Sequence, residues 1–382
     1  MSKLEELIQQ YCPDGVEHKK IKEVYQRIKG TPITAGKMKE IQCPTGEIRI
    51  FAGGKTVIDA NEADIPNANI TRVPAVLVQS RGVIDAIYYD KPFTFKNEMW
   101  AYTHKEQISV KFLYYVMKQN IQHFRDAASG MGALPQISLG TTEDFVIPVP
   151  PLPVQEEIVR ILDSFAELQA ELQAELQKRL QQYEYYRDKL LSFSDLSNWG
   201  GQEVSVEWKK LGEITTILRG KRLTKSQLSS DKPYAVYHGG LEPLGYYESA
   251  NRTANTTMII NVGASAGTIG YSKEDFWSSD GCYCVEHSKS FDDRYIYYVL
   301  QTQEQQLKSK VRVAGIPTLD RPVVEDLLIP IPPLAEQQRI VNILDKFYTL
   351  TADLTAGLPA EIEARRKQYE YYRDQLLTFK KK

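Results

Sequence analysis

The chain has 382 residues, of which 42% are hydrophobic and 25% charged, with a formal net charge of −2. This is the composition of an ordinary globular protein and predicts two or three domains. No apolar run approaches the ~20 residues that span a bilayer, which excludes a helical membrane protein and argues against a membrane partner. The slightly negative net charge excludes a uniformly basic chain, so any affinity for nucleic acid has to come from local clusters of charge.

The N-terminal residues predict a helix, because Ser2 and Glu5 have the spacing of a capping box, and this pattern differs from a signal peptide. The four cysteines show neither zinc-ligand spacing nor a disulfide framework. We therefore expect a cytoplasmic protein with reduced thiols at Cys12, Cys43, Cys282 and Cys284.

Residues 1–150 predict a first α/β globule with a strongly basic segment. From His18 to Lys39 there are seven Lys and Arg residues and one acid. Such a cluster neutralises phosphates, whereas polar side chains in nearby loops can reach base edges. Gly30 and its counterpart Gly220 predict tight loops beside the phosphates. The candidates for DNA contact in this globule are Lys29, Thr31, Lys37, Lys55, Gln79, Ser80, Arg81 and Gln136.

Residues 151–195 predict one long helix that starts after a proline run. Apolar residues recur in steps of three and four, which marks one face of a helix of ~40 residues and ~60 Å. The tetrapeptide Ala-Glu-Leu-Gln occurs three times between Ala166 and Gln177. This array predicts either a spacer whose length changes in whole units or ordinary coiled-coil sequence. The positions predicted to pack on a matching helix are Leu162, Phe165, Leu168, Leu172, Leu176 and Leu180.

Residues 196–332 predict a second α/β globule. From Trp208 to Lys225 there are six Lys and Arg residues and one acid, so the basic segment recurs at the equivalent place. Between the repeated anchors the two globules diverge, and only Gly82 and Gly267 align easily. A shared frame with unlike interiors indicates one task performed on two different targets. The candidates for DNA contact here are Arg219, Lys221, Arg222, Lys225, His238 and Ser265.

Residues 333–382 predict a second long helix. Its packing positions include Leu344, Phe347 and Leu354, and Gly357-Leu358-Pro359 predicts a kink or a break. The first helix leaves one globule for the other, and the second helix returns. We therefore expect the two helices to pack antiparallel and the C-terminus to lie near the N-terminus.

The two halves of the chain repeat each other. Ile147–Leu152 returns with one change as Ile329–Leu334, and Gln182–Asp188 returns letter for letter as Gln368–Asp374. The repeat implies two similar units related by a pseudo-two-fold axis, which suits a roughly two-fold partner such as duplex DNA. The acidic, glutamine-rich outer face of the helices predicts protein contacts. Two equivalent docking sites for protein partners are expected at Tyr183, Tyr186, Tyr369 and Tyr372.

Catalytic and metal-binding patterns are absent from the sequence. Gly54-Lys55-Thr56 resembles the end of a phosphate loop, but Arg49 occupies the earlier glycine position. The five histidines lack paired-ligand spacing. We therefore expect no catalytic residue, no metal and no cofactor in this chain. Two alternatives stay open: a stand-alone metal-dependent DNA nuclease, and a coiled-coil adaptor that does not bind DNA.

Two diverged globules, proline-led helices, the tetrapeptide array and tyrosine-rich helix ends resemble the specificity subunit of a Type I restriction-modification enzyme. The resemblance rests on Ile147–Leu152 with Gln155 and on Ile329–Leu334 with Gln337. It implies a mixed α/β fold with two α/β target recognition domains related by pseudo-two-fold symmetry. These domains would be joined by two long antiparallel helices that form a coiled coil. The implied divisions are target recognition domains at 1–150 and 196–332, a spacer helix at 151–195 and a second helix at 333–382.

The same resemblance implies a function without catalysis. Each domain of such a subunit reads one half of a bipartite double-stranded DNA target, and the helix pair fixes the gap between the halves. The subunit docks two modification subunits, which are adenine methyltransferases that use S-adenosylmethionine. It also docks restriction subunits, which are motor-nucleases that use ATP and Mg²⁺.

Overall fold

The computed structural model describes residues 2–54, 56–129, 134–193, 205–289, 291–352 and 356–382. The chain forms two compact units. Unit 1 comprises Met1–Leu172 and Ile362–Lys382, and unit 2 comprises Gln173–Glu361. Each unit is therefore built from parts of both halves of the sequence, because segments of the long helices are shared between them. Among the described helices, none combines the length and apolarity needed to cross a membrane.

Most helices of the first half recur in the same order in the second half. The helices are α1 (Lys3–Tyr11), α2 (Ile21–Val24), α3 (Ala35–Ile41), α4 (Gln107–Gln119), α5 (Ile121–Asp126), α6 (Leu139–Glu143), α7 (Leu152–Ser192), α8 (Leu211–Ile214), α9 (Asp293–Thr302), α10 (Glu304–Ser309), α11 (Arg321–Glu325), α12 (Leu334–Thr351) and α13 (Leu358–Leu376). Short 3-10 turns lie at Glu62–Asp64 and Lys225–Gln227.

The strands of unit 1 are β1 (Glu17–Lys20), β2 (Gln26–Lys29), β3 (Ile48–Phe51), β4 (Val57–Ala60), β5 (Ala75–Gln79), β6 (Asp85–Tyr89), β7 (Phe93–Phe95), β8 (Trp100–Thr103) and β9 (Val146–Val149). They form a two-stranded sheet β1-β9, a four-stranded sheet β2-β8-β5-β6 and a three-stranded sheet β4-β3-β7. All pairs are antiparallel except the parallel pair of β3 and β7.

The strands of unit 2 are β10 (Glu207–Lys210), β11 (Ile217–Arg219), β12 (Tyr234–Tyr237), β13 (Gly245–Tyr247), β14 (Thr256–Ile260), β15 (Ile269–Ser272), β16 (Trp277–Ser278), β17 (Cys282–Val285) and β18 (Leu328–Ile331). They pair as β10-β18, β11-β17-β14-β15 and β13-β12-β16, which is the arrangement of unit 1 strand for strand. The parallel pair also recurs, between β12 and β16. The predicted mixed α/β fold with two similar domains is thus confirmed.

Each unit has its main core between the helix after the four-stranded sheet and the start of a proline-led helix. In unit 1, α4 buries Phe112, Leu113 and Val116 against Ile158 and Leu162 of α7. In unit 2, α9 and the start of α12 form the equivalent core. These side chains recur at helical spacing, so the apolar stripe seen in the sequence is the face that each helix buries.

The N-terminal capping box, the proximity of the two chain ends and the long first helix are present in the structure. Ser2 Oγ accepts from Glu5 N–H at 3.3 Å, and Ser2 N–H donates to Glu5 Oε2 at 2.7 Å, so the capping box is formed. The C-terminus lies beside the N-terminal region, since Lys382 N–H donates to Val16 O at 3.0 Å. The long helix α7 has 41 residues, as the periodicity predicted.

The second helical region is interrupted where Gly357-Leu358-Pro359 predicts a break. α12 ends at Thr351 and α13 begins at Leu358. Gly357 has a φ of +83°, and a Cβ there would lie 2.3 Å from Thr349 O. A residue other than glycine is therefore excluded both by conformation and by space.

Candidate nucleic-acid interface and docking sites

The basic segment of each domain has two parts, and the first part is neutralised within the fold. Lys20 and Lys22 lie 2.9 and 2.8 Å from Asp144 Oδ1, and these lysines lower the pKa of Asp144 to about 2. Lys210 lies 2.7 Å from Asp326 in unit 2. The positive charge of this first part is therefore partly compensated by acidic side chains of the same domain. These lysines instead hold the first strand of each domain to the segment that precedes its last strand.

The second part of each basic segment is exposed and carries unpaired cations. These four side chains are solvent-exposed and have no acidic partner among the residues that the structure describes: Lys29, Lys221, Arg222 and Lys225. They lie at or after the equivalent strands β2 and β11. Each domain therefore presents positive charge at the equivalent position of its own fold. Arg219 at the end of β11 is also exposed, but its Nε donates to Asp280 O at 3.2 Å.

Gly30 and Gly220 support these loops in a way that the sequence did not indicate. Neither residue has a positive φ. A Cβ on Gly30 would lie 2.1 Å from Phe95 O, and one on Gly220 would lie 2.1 Å from Ser278 O. The requirement for glycine is thus the close approach of two backbone segments, which fixes where the basic loop leaves the sheet.

A cleft of about 620 Å³ in unit 1 brings two of the predicted contact residues together. Lys29 and Gln136 both line it, although they are far apart in the sequence. Asn69 and Asn97, which sequence analysis did not select, line it as well, and Asn69 Nδ2 donates to Lys29 O at 2.6 Å. The cleft therefore combines a free cation with amide side chains, which are the groups that contact phosphates and adenine edges in DNA.

Three predicted contact residues of the first domain are buried and cannot present their side chains to a ligand. Thr31 Oγ1 lies 2.7 Å from Thr94 Oγ1, and Gln79 Nε2 donates to Gly54 O at 2.7 Å. Ser80 Oγ donates to the carbonyl oxygen of Glu98. Direct DNA contact by Thr31, Gln79 and Ser80 is therefore corrected to a positioning role, because each side chain is buried and hydrogen-bonded inside the domain.

The remaining predicted residues of the first domain have different surroundings. Lys37 lies 2.7 Å from Glu40, so its charge is paired. Lys55 lies outside the described residues. Arg81 is exposed, and its backbone pairs with that of Gln136 in an isolated antiparallel bridge. Arg81 and Gln136 are thus the two predicted side chains that the structure places next to each other on one surface.

Two loops meet in the first domain at a junction that holds Arg81 and Gln136 in place. Gly82 N–H donates to Pro135 O at 2.8 Å, and Ile137 N–H donates to Ser80 O at 2.9 Å. Gly82 has a φ of +80°, a conformation that favours glycine. The loop after β5 and the loop before α6 are therefore held to each other by backbone hydrogen bonds on both sides of the bridge.

The second domain contains the same junction with different side chains. Gly263 N–H donates to Pro317 O at 2.9 Å, and Leu319 N–H donates to Asn261 O at 2.9 Å. Gly263 has a φ of +89°. The counterpart of Gly82 is therefore Gly263, and the alignment of Gly82 with Gly267 is wrong. Local Ser-x-Gly similarity was misleading because the loops between the repeated anchors differ in sequence.

Two further candidates of the second domain lie beside this junction. His238 Nδ1 lies 3.4 Å from Asp280 Oδ1, and the imidazole is half-buried. Ser265 O accepts from Thr268 N–H at 3.0 Å, so Ser265 belongs to the tight turn that leads into β15. A Cβ on Gly240 would lie 4.0 Å from Ser265 Oγ, which places the His238 loop and the Ser265 turn near each other.

The predicted helix-packing residues divide into buried ends and a more exposed middle. Leu162 and Leu344 are fully buried. Phe165 stacks on Tyr372 at 5.6 Å in unit 1, and Phe347 stacks on Tyr186 at 5.8 Å in unit 2. In both units α7 therefore packs against the second helical region. Leu168, Leu172, Leu176 and Leu180 are only half-buried, and Leu354 lies outside the described residues.

The four tyrosines predicted to dock partners differ in burial. Tyr183 is buried, its Oη donates to Gln301 Oε1 at 3.0 Å, and burial raises its pKa to about 12. Tyr369 is half-buried, and burial also raises its pKa to about 12. The exposed members of the two copies are Tyr185 at 60%, Tyr371 at 62% and the predicted residue Tyr372 at 41%. Helical spacing explains this, since Tyr183 lies on the apolar stripe and Tyr185 does not.

Each unit has a surface cleft at the end of its tyrosine repeat. The cleft of unit 2 has a volume of about 240 Å³ and is lined by Asp188, Leu191, Trp208, Gln303 and Pro330, among others. The cleft of unit 1 has a volume of about 480 Å³ and is lined by His18, Asn120, Pro148, Asp374 and Leu377, among others. These residues correspond pairwise in the sequence repeat, so the two clefts are equivalent sites.

Groups that support catalysis by metal ions are not found in the described part of the chain. No cluster of three or more His, Cys, Asp or Glu side chains there could hold a metal ion. The four cysteines are free thiols. What the geometry offers instead is two similar surfaces with unpaired cations, amide side chains on the first of them, and two equivalent clefts beside the long helices.

A comparison with known protein families accounts for this duplicated arrangement. The family model described as "Type I restriction modification DNA specificity domain" matches residues 13–182 and again residues 203–364. The chain belongs to this family. Its two target recognition domains are the two similar α/β domains described above, and the predicted resemblance to a Type I specificity subunit is confirmed.

Individual members of the Type I specificity family are similar over most of the chain. The EcoR124I/EcoR124II specificity subunit of Escherichia coli is 33% identical over 299 residues, which is 71% of this chain and 71% of that protein. A putative type I specificity subunit from Haemophilus influenzae is 33% identical over 315 residues, covering 74% of this chain and 77% of that protein.

Solved structures of the type I system share the fold. The S subunit of a type I restriction-modification system from M. genitalium superposes with a TM-score of 0.63 at 20% identity, over 94% of each chain. A chain from a structure of type I R-M complex assembly has a TM-score of 0.53 at 17% identity, over 96% of this chain and 98% of that chain.

Proposed function

We propose that this chain is the non-catalytic DNA-recognition subunit of a Type I restriction-modification enzyme, and that each domain reads one half of a bipartite double-stranded target. The observation that carries this proposal is the repeated loop junction with unlike side chains. Arg81 pairs with Gln136 in the first domain, whereas Val262 pairs with Thr318 at the same place in the second. The same frame thus presents different hydrogen-bonding groups, which is what two different half-sites require.

The unpaired cations and the junction residues suit different contacts with DNA. Lys29 in the first domain and Lys221 in the second are exposed beside equivalent strands, so they suit sequence-independent phosphate contacts. Arg81 and Gln136 suit base edges, because arginine pairs with guanine and glutamine with adenine in the major groove. Each such base contact discriminates by roughly 1–3 kcal/mol. Phosphate contacts therefore supply affinity and the junction supplies specificity.

The long helices suit two roles: they set the gap between the two half-sites, and they bind the partner subunits. The tetrapeptide array in α7 has no buried side chain, so its length can change without loss of a core. We assign the exposed Tyr185 and Tyr371, with the cleft beside each, to two modification subunits of the adenine methyltransferase class. Restriction subunits would join the same assembly. S-adenosylmethionine, ATP and Mg²⁺ belong to those partners in this proposal, and the chain itself binds no cofactor.

The proposal is tested by mapping methylated adenines after co-expression of the chain with its modification subunit. We expect a two-part motif with a fixed gap. Gln136→Ala is expected to relax the first half-motif only, and Thr318→Ala the second half-motif only. One short uninterrupted motif, or a change in both halves from either substitution, contradicts the proposal.

Two control experiments address the alternative functions. The purified chain alone, incubated with DNA, Mg²⁺ and S-adenosylmethionine, is expected to neither cleave nor methylate. Activity of the lone chain would support the nuclease or another enzyme instead. DNA binding by the assembly is expected to fall steeply with salt, because lysine contacts release counterions. Absence of DNA binding at low salt would support the adaptor.

A further inference from the structure

The most exposed large aliphatic side chains in the described part of the chain lie on one pair of equivalent loops. Val313, Ile316 and Leu134 are 79%, 71% and 63% exposed. Leu134 precedes Pro135 and Ile316 precedes Pro317, so these two residues are counterparts in the two domains. A single exposed aliphatic side chain needs no explanation. An exposed aliphatic side chain at the equivalent position of two domains, with different neighbouring side chains, does need an explanation.

Both aliphatic side chains are presented by loops that backbone hydrogen bonds hold in place. Pro135 O accepts from Gly82 N–H, and Pro317 O accepts from Gly263 N–H, in each case directly after the aliphatic residue. The proline ring further restricts the backbone of the residue that precedes it. Little conformational entropy is therefore lost when such a side chain binds, because the residue that follows it is held by a backbone hydrogen bond.

The surroundings of these side chains match DNA better than another protein. Leu134 lies two residues from Gln136, which lines the cleft with Lys29 and pairs with the exposed Arg81. In the second domain the backbone of Arg312 pairs with that of Thr318, two residues after Ile316, and the Arg312 guanidinium is ion-paired with Asp320 at 2.9 Å. In the first domain an aliphatic side chain thus lies among unpaired cationic and amide groups, which complement a polyanion with apolar base faces, and Ile316 is its counterpart in the second domain. A protein-binding hot spot would instead lie in an apolar, desolvated patch.

We propose that Leu134 and Ile316 are wedge residues that enter the DNA groove and press against the faces of one base step in each half-site. Leucine, isoleucine and proline unstack base steps in this way, at a cost that the additional protein contact offsets. The proposal rests on DNA recognition by the two domains. It adds a second source of specificity, because flexible pyrimidine–purine steps open more readily than stiff ones.

The test uses the full-length chain assembled with its modification subunits and DNA duplexes with 2-aminopurine at successive positions of the mapped target. Binding of the unsubstituted assembly is expected to raise fluorescence at one step in each half-site. Leu134→Ala is expected to abolish the rise in the first half only, and Ile316→Ala that in the second half only. Each substitution should weaken specific binding roughly tenfold by removal of apolar contact and leave non-specific binding unchanged. Leu134→Met should retain most of the signal.

A matched control is Val73→Ala, which removes an aliphatic side chain that is 49% exposed and precedes β5, at the opposite end from the junction. It should change neither fluorescence nor affinity. Unchanged fluorescence and affinity in Leu134→Ala and Ile316→Ala would overturn the wedge inference while the proposed function stands. Loss of co-purification with the modification subunit would overturn it in favour of a protein contact. Failure of the unsubstituted assembly to distinguish target from random DNA would overturn the proposed function itself.

Discussion

Replacement of Asp345 by asparagine is expected to destabilise unit 2 by about 2 kcal/mol. Asp345 on α12 accepts hydrogen bonds from Arg294 Nε at 2.8 Å and from Tyr298 Oη at 2.5 Å, and both donors lie on α9. Arg294 is buried, and its guanidinium also lies 4.5 to 4.9 Å from four aromatic ring centroids, those of Tyr271, Tyr297, Tyr298 and Tyr348. This cluster ties the domain to the helix that leaves it.

The expected loss of unfolding free energy follows from the interactions that Arg294 and Asp345 lose. Asparagine keeps the shape of Asp345 but removes the countercharge of a side chain, Arg294, that is only 10% exposed. A hydrogen bond to a charged group contributes about 1.5–3 kcal/mol. Because Asp345 is 45% exposed, solvent screening reduces the ionic part. We therefore expect about 2 kcal/mol, which corresponds to a fall in Tm of roughly 4–8 °C for a domain of this size.

The assay is urea unfolding of the full chain, with hydrogen exchange to assign the transition to unit 2. Burial, and then the hydrogen bond to Asp345, hold the pKa of Tyr298 above its ordinary value, so Tyr298→Phe should be partly non-additive with Asp345→Asn. Glu363→Gln is the control, because Glu363 and its partner Arg366 are both about half exposed. It should leave the free energy of unfolding nearly unchanged.

Unit 1 contains an equivalent cluster, which provides a matched test of the same argument. Asp163 on α7 accepts from Lys111 Nζ at 2.7 Å and from the hydroxyl of Tyr115, so Asp163→Asn should destabilise unit 1 and leave unit 2 unchanged. A loss below about 0.5 kcal/mol in Asp345→Asn, or strict additivity with Tyr298→Phe, would refute the argument that the cluster holds α9 to α12.

Three further predictions concern spacing, acid stability and docking. Deleting Ala170–Gln173 should shorten α7 by ~6 Å and change the gap of the methylated motif by up to about two base pairs, with both half-motifs unchanged; methylation mapping checks this, and altered half-motifs would contradict it. Glu157→Gln should cost about 1–2 kcal/mol near pH 7. The Arg160 hydrogen bond lowers the pKa of Glu157 to about 2, so its contribution is present above about pH 4.5 and lost as pH falls towards 2; acid unfolding of both proteins should converge in that window. Tyr185→Ala and Tyr371→Ala together should weaken co-purification with the modification subunit at least tenfold without a change in Tm, and unchanged assembly would reject these tyrosines as docking residues.

The repeat in the sequence was sufficient to predict the domain order, the long helix and the break in the second helical region. Proline, glycine and helical periodicity act locally, and a helix boundary at Leu152 or Gly357 is a local property. The strand order could not be predicted from the sequence, because β3 pairs with β7 in parallel across more than forty residues of divergent sequence. Such pairing depends on tertiary packing and not on the pattern of either strand.

The individual contact residues were predicted less well, and the errors have a common cause. Polarity marks a loop but does not reveal burial, so the sequence predicts Thr31 and Ser80 as contact residues although the hydroxyl groups of both form hydrogen bonds inside the domain. Counting lysines could not show that Asp144 neutralises Lys20 from 124 residues away. By contrast, the position of Tyr185 off the apolar stripe could have been recognised from the 3.6-residue period alone.

The division of the chain into units has a consequence for synthesis. Unit 1 is begun by Met1–Leu172 but includes Ile362–Lys382, where Leu377 is buried in its main core. A ribosome adds about 5–20 residues per second, so the first domain waits roughly 10–40 s for the segment that covers it. During translation the domain made first is thus finished last. A chain that terminates early after residue 361 leaves an apolar face open on a nascent protein, where chaperones and proteases act.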